Sequence, residues 1–238
     1  MDTQTRHALK QDKFVQATSS SLGWVQTHRN DVIRLALALV VALAIVIAGT
    51  AFYVHRSAQA QVAFGQAVQT YIAPLRPPGA PADSSPGSFA SSTDRAKAAN
   101  SQFLAVADRY GSLAAGKNAR YFAGLTYIDM GQTAAAESSL KQVAGVHDAN
   151  LSSLAKAALA GVYHQTGRDD QAVSLYQELI AKPSDAVPAS SAKLQLAELY
   201  EATRPAEARR LYAEIEDKEK ATPAGQIAAQ RLKGATRQ

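Results

Sequence analysis

The longest apolar stretch of the chain lies near its N-terminus. The run from Leu35 to Val54 reads LALALVVALAIVIAGTAFYV and holds 20 residues without a charged side chain. As a helix it extends about 30 Å, which is the thickness of the hydrocarbon core of a bilayer. Phe52 and Tyr53 stand at its far end, where aromatic side chains favour the membrane interface. The pattern predicts a transmembrane helix over residues 32–54.

A cleaved signal peptide is the main alternative, because SAQA at residues 57–60 offers a small-residue cleavage pattern. The apolar run is longer, however, than the roughly 7–15 residues of a signal peptide, and 34 residues precede it. A buried core helix is rarely apolar on every side. We therefore predict a retained signal anchor.

Basic residues indicate the orientation of such an anchor. Five lie before the run, whereas Arg56 is the only one between the run and Arg76. Because basic residues remain on the cytoplasmic side, we expect residues 1–31 to form a cytoplasmic tail and residues 55–238 to lie on the other side. The apolar residues of the tail are irregularly spaced, so an amphipathic helix on the inner leaflet and a flexible chain both remain open.

Beyond the membrane the pattern is helical and is interrupted once. Residues 55–75 predict a helical extension of the anchor. Residues 76–92 contain four prolines with many Ser and Gly, a composition that predicts a loop. Residues 93–238 predict a repeat domain with a C-terminal capping helix, and a fragment beginning near Ser92 is expected to fold without the membrane segment.

One pattern returns three times in that domain, at intervals of about 36 residues. YIDMGQTAAA at Tyr127, YHQTGRDDQA at Tyr163 and YEATRPAEA at Tyr200 each join a tyrosine, a break in the helical pattern and an alanine. Glycine tolerates the left-handed conformation that ends many helices. A single helix pair cannot bury its own apolar stripe, but stacked pairs can. The spacing therefore predicts an all-α solenoid of antiparallel helix pairs.

The residues around each tyrosine predict how the two helices of a pair approach. A small residue one turn earlier gives the partner helix room, and an alanine lies on the matching face of the second helix. A larger apolar residue follows four positions later, on the same face. In chain order these sets are Gly124, Ala160 and Ala197; Ala136, Ala172 and Ala208; and Leu140, Tyr176 and Tyr212.

This order of residues resembles the tetratricopeptide repeat. Three copies match across residues 117–217, and Ala99 and Phe103 fit the second helix of an earlier, degenerate copy. The chain departs from the family at the start of each first helix, where the family favours tryptophan. The residues at that position are Arg120, Lys156 and Lys193.

The whole layout resembles the YfgM-like family of inner-membrane proteins. The shared features are a short cytoplasmic tail, one signal anchor, a half-repeat and about three divergent repeats. The resemblance implies an accessory subunit of the Sec translocon that faces the periplasm and works with periplasmic chaperones.

Charge and candidate chemistry exclude some functions and suggest no reaction. The formal net charge is +5, but residues 57–238 are nearly balanced and lack the clustered basic face of a nucleic-acid reader. The absence of cysteine excludes disulfides and thiolate metal sites. The histidines form no close-spaced metal pair, and no phosphate loop or nucleophile elbow is present. We expect no enzyme activity, cofactor, metal site or small-molecule substrate.

The first helices carry a second stripe, offset from the tyrosines, that is a candidate binding surface. In tetratricopeptide arrays this stripe lines the concave groove that binds extended peptides. The first third of this stripe is apolar and the last third is acidic. For Leu125 and Ile128, the alternative to a role in the groove is core packing against the preceding helix. The candidate contacts are Tyr121, Leu125, Ile128, His164, Leu194, Glu198 and Glu201.

Together these features predict a protein–protein interaction module anchored in a bacterial inner membrane, with its repeat domain in the periplasm. By the resemblance, its partners are translocon subunits, periplasmic chaperones or exported clients. The alternative is a scaffold of a cell-wall or outer-membrane assembly complex. Partners that co-purify from gently solubilised membranes distinguish the two.

Overall fold

Helices account for most of the described chain. The computed structural model describes residues 28–77, 79, 81 and 87–235, and within them the only β pairing is an isolated bridge between Leu75 and Phe89. The predicted all-α class is confirmed. The nature of the N-terminal tail and the inner part of the predicted loop fall outside the described residues. The helices are α1 (Arg29–Tyr71), α2 (Ser92–Tyr110), α3 (Ala114–Asp129), α4 (Thr133–Ala144), α5 (Ala149–Gln165), α6 (Asp169–Ala181), α7 (Ala189–Tyr200), α8 (Pro205–Glu219) and α9 (Pro223–Ala235).

The chain divides into two compact units, Met1–Arg56 and Ser57–Gln238. The described part of the first unit consists mainly of helix α1 up to Arg56, where large apolar side chains such as Ile45 are exposed. Among the described helices, α1 is the one that is long and apolar enough to cross a membrane. Length, composition and exposure therefore all agree with a membrane-spanning segment.

In the second unit, each predicted helix pair closes through the same backbone contact. The backbone nitrogens of Gln132, Arg168 and Arg204 each donate to the carbonyl oxygen of their repeat tyrosine at 2.8 Å. Gly131 and Gly167 adopt φ angles of +70° and +73°, which glycine tolerates without steric cost. The third turn has no glycine and is followed directly by the proline that begins α8.

Packing at the repeat positions follows the predicted pattern. A Cβ added to Gly124 would lie 2.7 Å from Cδ2 of Leu140, so the absence of a side chain allows α4 to approach α3. Ala160 and Ala172 are fully buried at the equivalent approach of α5 and α6. The small and large positions therefore form one continuous hydrophobic cluster, referred to below as the main core.

The end of α1 supplies the first helix of the degenerate copy, for which the sequence predicted only the second helix. Phe103 of α2 is fully buried, and its ring centroid lies 5.9 Å from that of Phe64 and 6.1 Å from that of Tyr71. Phe103 also stacks on Phe122 of α3 at 5.2 Å. Ala60, Ala67 and these aromatic side chains belong to a second cluster, the aromatic core.

The loop takes the place of a tight turn between α1 and α2, and its ends are tied together. The backbone nitrogen of Arg76 donates to the carbonyl oxygen of Phe89 at 2.8 Å, and that of Phe89 donates to the carbonyl oxygen of Pro74 at 3.1 Å. The Arg76 guanidinium also donates to the carbonyl oxygen of Ser88 at 3.2 Å. These contacts hold the end of α1 beside the start of α2.

Candidate protein-binding groove

The apolar third of the predicted groove lies on α3 and is half-buried. Tyr121 and Ile128 pack against the main core, and burial raises the pKa of Tyr121 above its ordinary value. Core packing, the alternative considered for Ile128, therefore describes part of its role. Leu125 is half-buried as well and belongs to neither hydrophobic cluster. Each of the three side chains is therefore only partly exposed.

The middle of the groove lies on α5 and is small and open. A Cβ added to Gly161 would meet no atom within 4 Å, and Ala157, one turn earlier, is half-buried. His164 is exposed, and its Nδ1 lies 2.7 Å from Oδ1 of Asp169. No group of three or more His, Asp or Glu side chains in the described part of the chain could hold a metal ion.

The last third lies on α7, and here one predicted contact needs correction. Leu194 is only 9% exposed and belongs to the main core, so its side chain adds almost nothing to an accessible groove. Glu198 and Glu201 have side chains that are 46% and 42% exposed. The repeat spacing places all three on one stripe, but it does not show that neighbouring helices cover Leu194.

Arg231 of the capping helix α9 lies beside the acidic end of the groove, a contact that the sequence did not predict. The guanidinium of Arg231 lies 3.2 Å from Oε1 of Glu198 and 3.5 Å from Oε1 of Glu201. The Tyr212 hydroxyl donates to Oε1 of Glu201 at 2.8 Å, and burial together with that carboxylate raises the pKa of Tyr212. One cation thus faces two carboxylates, and Arg209 and Lys233 line the same pocket as Glu201.

The cations at the family's tryptophan position form ion pairs with acids on neighbouring helices. The Lys156 ammonium lies 2.6 Å from Oε1 of Glu178, and the Lys193 ammonium lies 2.7 Å from Oε1 of Glu214. The two lysine side chains are only 23% and 20% exposed, as the aliphatic part of a long charged side chain can be buried. The third cation pairs with the preceding helix, since Arg120 lies 2.7 Å from Asp108. At these positions the contact with a neighbouring helix is therefore an ion pair.

An ion cluster links the first full copy to the second. Arg168 donates from both terminal nitrogens to the two carboxylate oxygens of Glu137, at 3.2 and 2.7 Å. The Lys141 ammonium lies 2.7 Å from the same carboxylate, and the Arg168 guanidinium also sits 4.5 Å from the centre of the Tyr163 ring. Hydrogen bonds from Arg168 and Lys141 lower the pKa of Glu137 to about 2.

Comparison with known proteins identifies the repeat type in one copy. Residues 155–186 match the family model described as Tetratricopeptide repeat. The matched range covers most of α5, the turn at Gly167 and all of α6. No curated protein and no solved structure matches the chain. The repeat type predicted from the sequence is thus confirmed for the middle copy, and domains of this type generally bind other proteins.

Proposed function

We propose that the protein is a membrane-anchored interaction protein whose repeat domain binds extended segments of other proteins. The observation that carries the proposal is the open middle of the groove at Gly161 and His164. Half-buried apolar side chains lie on α3, the first helix of the preceding pair, and exposed carboxylates lie at the end of α7, the first helix of the following pair. An extended chain can approach closely where no side chain projects, while apolar and charged groups on either side select its residues.

The proposed location is the outer face of a bacterial inner membrane, beside the translocon. Support comes from the length and exposure of α1, the basic residues that precede the apolar run, and the resemblance in layout to YfgM-like proteins. The proposed partners are translocon subunits, periplasmic chaperones or exported clients. Recovery of wall synthases or outer-membrane assembly factors with the solubilised protein, in place of these partners, would favour the alternative, a scaffold of a cell-wall or outer-membrane assembly complex.

The binding site is tested by filling the groove at its open point. Gly161→Trp places a large side chain where no neighbouring atom lies within 4 Å, so the fold should tolerate it. The probe is a fluorescein-labelled peptide of about 12 residues, roughly 40 Å long when extended, with two leucines in one half and two lysines in the other. We expect Gly161→Trp to weaken binding to the full chain in detergent by about tenfold or more, measured by fluorescence anisotropy.

Gly145→Trp is the matched control. Gly145 is also exposed and has no atom within 4 Å of an added Cβ, but it lies between α4 and α5, away from the stripe. This variant should bind the peptide as the wild type does. Equal binding by the Gly161→Trp variant, with an unchanged helical melt, would mean that peptides bind elsewhere.

A further inference from the structure

Exposed apolar side chains in the repeat unit are concentrated at the end of α1 and in the few residues that follow it. Among the described residues after Arg56, the large apolar side chains with high exposure are Val62, Ile72, Leu75 and Ile227. Val62 of α1 and Ile72, the residue directly after the helix, are 64% and 61% exposed, although the opposite face of α1 is buried in the aromatic core. This segment therefore has one apolar face that is covered in the second unit and further apolar side chains that are uncovered.

The repeat register places the uncovered face in line with the groove. Tyr71 takes the position of the repeat tyrosine, because it packs on Phe103 and is followed by a second helix with the same alanine and aromatic spacing. Ile72 then corresponds to Ile128, and Gln69 corresponds to Leu125. By the same count, Gly65 stands level with Tyr121 of α3 and Ala157 of α5.

Direct contacts support this register. The ring of Tyr71 meets that of Phe122 edge-on at 5.9 Å, and Phe122 meets Tyr121 of the groove stripe at 5.6 Å. Burial and the Asp129 carboxylate at the end of α3 raise the pKa of Tyr71 to about 12. The end of α1 is therefore the neighbour of α3 in the array, as α3 is the neighbour of α5.

We propose, resting on the function proposed above, that residues 62–72 form the first lane of the groove. Its occupant is an extended polypeptide with aliphatic side chains over Val62 and Ile72 and a basic side chain toward Glu198 and Glu201. The anchor helix thus contributes binding surface as well as attachment.

The composition of this lane favours polypeptide over lipid. The segment from Ser57 to Leu75 contains no charged residue, whereas helices that lie on anionic membrane surfaces use Lys and Arg. Gln69 is exposed, and its amide can both donate to and accept from the backbone of an extended chain. A Cβ added to Gly65 would meet no atom within 4 Å, so a backbone can approach there.

Charge at the far end gives the occupant a direction. Glu198 and Glu201 both lie beside Arg231, yet their side chains remain 46% and 42% exposed and accessible to a basic partner. The lane on α1 carries no charge. A peptide with leucines at one end and lysines at the other complements both ends in one orientation only.

The test uses the full chain in lipid nanodiscs with the leucine–lysine peptide described above. The double variant Val62→Glu, Ile72→Glu should weaken peptide binding by about tenfold or more, since it places charges where aliphatic groups are expected. Gln177→Glu is the control, because Gln177 is exposed on a second helix. Replacing the leucines of the peptide by serine, or its lysines by glutamate, should weaken binding to the wild type to a similar degree.

A photo-crosslinking amino acid at Gln69 gives a second readout that does not depend on the double variant folding. It should crosslink the peptide, and one at Gln177 should not. Crosslinks from Gln69 to lipid alone would overturn the proposed lane, as would unchanged peptide binding by the double variant. Equal affinity for the glutamate peptide would overturn the charge preference. If Gly161→Trp abolishes peptide binding and the double variant on α1 does not, the proposed groove stands but this lane is contradicted. If neither variant weakens peptide binding, the groove itself is contradicted.

Discussion

Glu137 makes the stability of the repeat domain sensitive to acid. Its pKa falls from 4.5 to about 2 in the folded protein, so the unfolded chain binds more protons between these values. The stabilisation is complete above the unfolded pKa and is lost as the pH falls through the folded one. Glu214, held by Lys193 and Lys218, follows the same rule with a pKa of about 2.

We therefore expect Glu137→Gln to melt at a lower temperature than the wild type at neutral pH. The difference between the two should shrink as the pH is lowered from about 4.5 to about 2, measured by circular dichroism. Glu207→Gln is the control, since Glu207 is more exposed and lies 3.9 Å from Arg204. A constant difference at all pH values would show that the pKa of Glu137 is not lowered.

Close packing of the helices is expected to require a small residue at the repeat positions, and a substitution at Ala172 tests this requirement. The residue is fully buried where α6 meets its neighbours, and extra methylenes in a packed core usually cost about 1–3 kcal/mol. Ala172→Leu should destabilise a folded fragment of the second unit by this amount in a chemical-denaturation experiment. Ser174→Leu, on the exposed side of the same helix, should change stability little. Equal stability of the two variants would mean that α6 does not pack closely at Ala172.

Some of these residue roles could be predicted from the sequence and others could not. Ala172 and Gly124 recur at fixed distances from a tyrosine, so their packing role was predictable. The role of Arg168 depends on Glu137, a partner 31 residues away, and local spacing carries no information about it. Burial of Leu194 likewise depends on how neighbouring helices cover α7.

Helix α5 and the turn that follows it contain two glycines with opposite requirements. Gly161 lies inside the helix with open space around an added Cβ, whereas Gly167 adopts a φ of +73°. Alanine favours a helix by about 0.5–1 kcal/mol over glycine, but the left-handed conformation costs a residue with a side chain about 1–2 kcal/mol.

Gly161→Ala should therefore stabilise the domain and Gly167→Ala should destabilise it, although the chemical change is identical. Thermal melts of the two variants beside the wild type provide the measurement. A shift in the same direction for both would contradict the assigned backbone conformations. Because alanine is small, Gly161→Ala should also retain peptide binding, unlike Gly161→Trp.

Prediction of the helix pairs succeeded where the turns are short, whereas the pair joined by the long loop was missed although both of its helices were predicted. Tyr163 is followed by its alanine nine positions later, and that spacing identifies a pair. Tyr71 is separated from Ala99 by 28 positions, so the periodicity is broken at the loop. The contact of Tyr71 and Phe64 with Phe103, which completes the first pair, becomes visible only in three dimensions.

For the protein as a whole, this first pair determines where a stable fragment must begin. A fragment from Ser92 lacks Phe64 and Tyr71 and leaves Phe103 and Phe122 uncovered, contrary to the boundary suggested by the sequence. Uncovering buried aromatic side chains costs about 1.5–3 kcal/mol each. A fragment from Ser57 should therefore be more stable than one from Ser92 by about 3 kcal/mol or more in urea denaturation. Equal stability would show that the end of α1 is dispensable for the fold.

Orientation is a further property of the entire chain. The five basic residues before the apolar run predict a cytoplasmic N-terminus. A reporter enzyme that is active only outside the cytoplasm should be active when fused at Gln238 and silent when fused at Thr27. The reverse pattern would place the repeat domain in the cytoplasm and exclude periplasmic partners.

The order of packing in the array also bears on how the protein acquires its structure during synthesis. From α2 onward, each helix packs mainly on its immediate neighbours in the chain, with smaller contacts between α3 and α5 and between α7 and α9. Each newly emerged helix can therefore dock on a surface that is already formed, and contacts that are local in sequence form rapidly. Such a chain can fold progressively as it leaves a ribosome or a membrane channel, without waiting for its C-terminus.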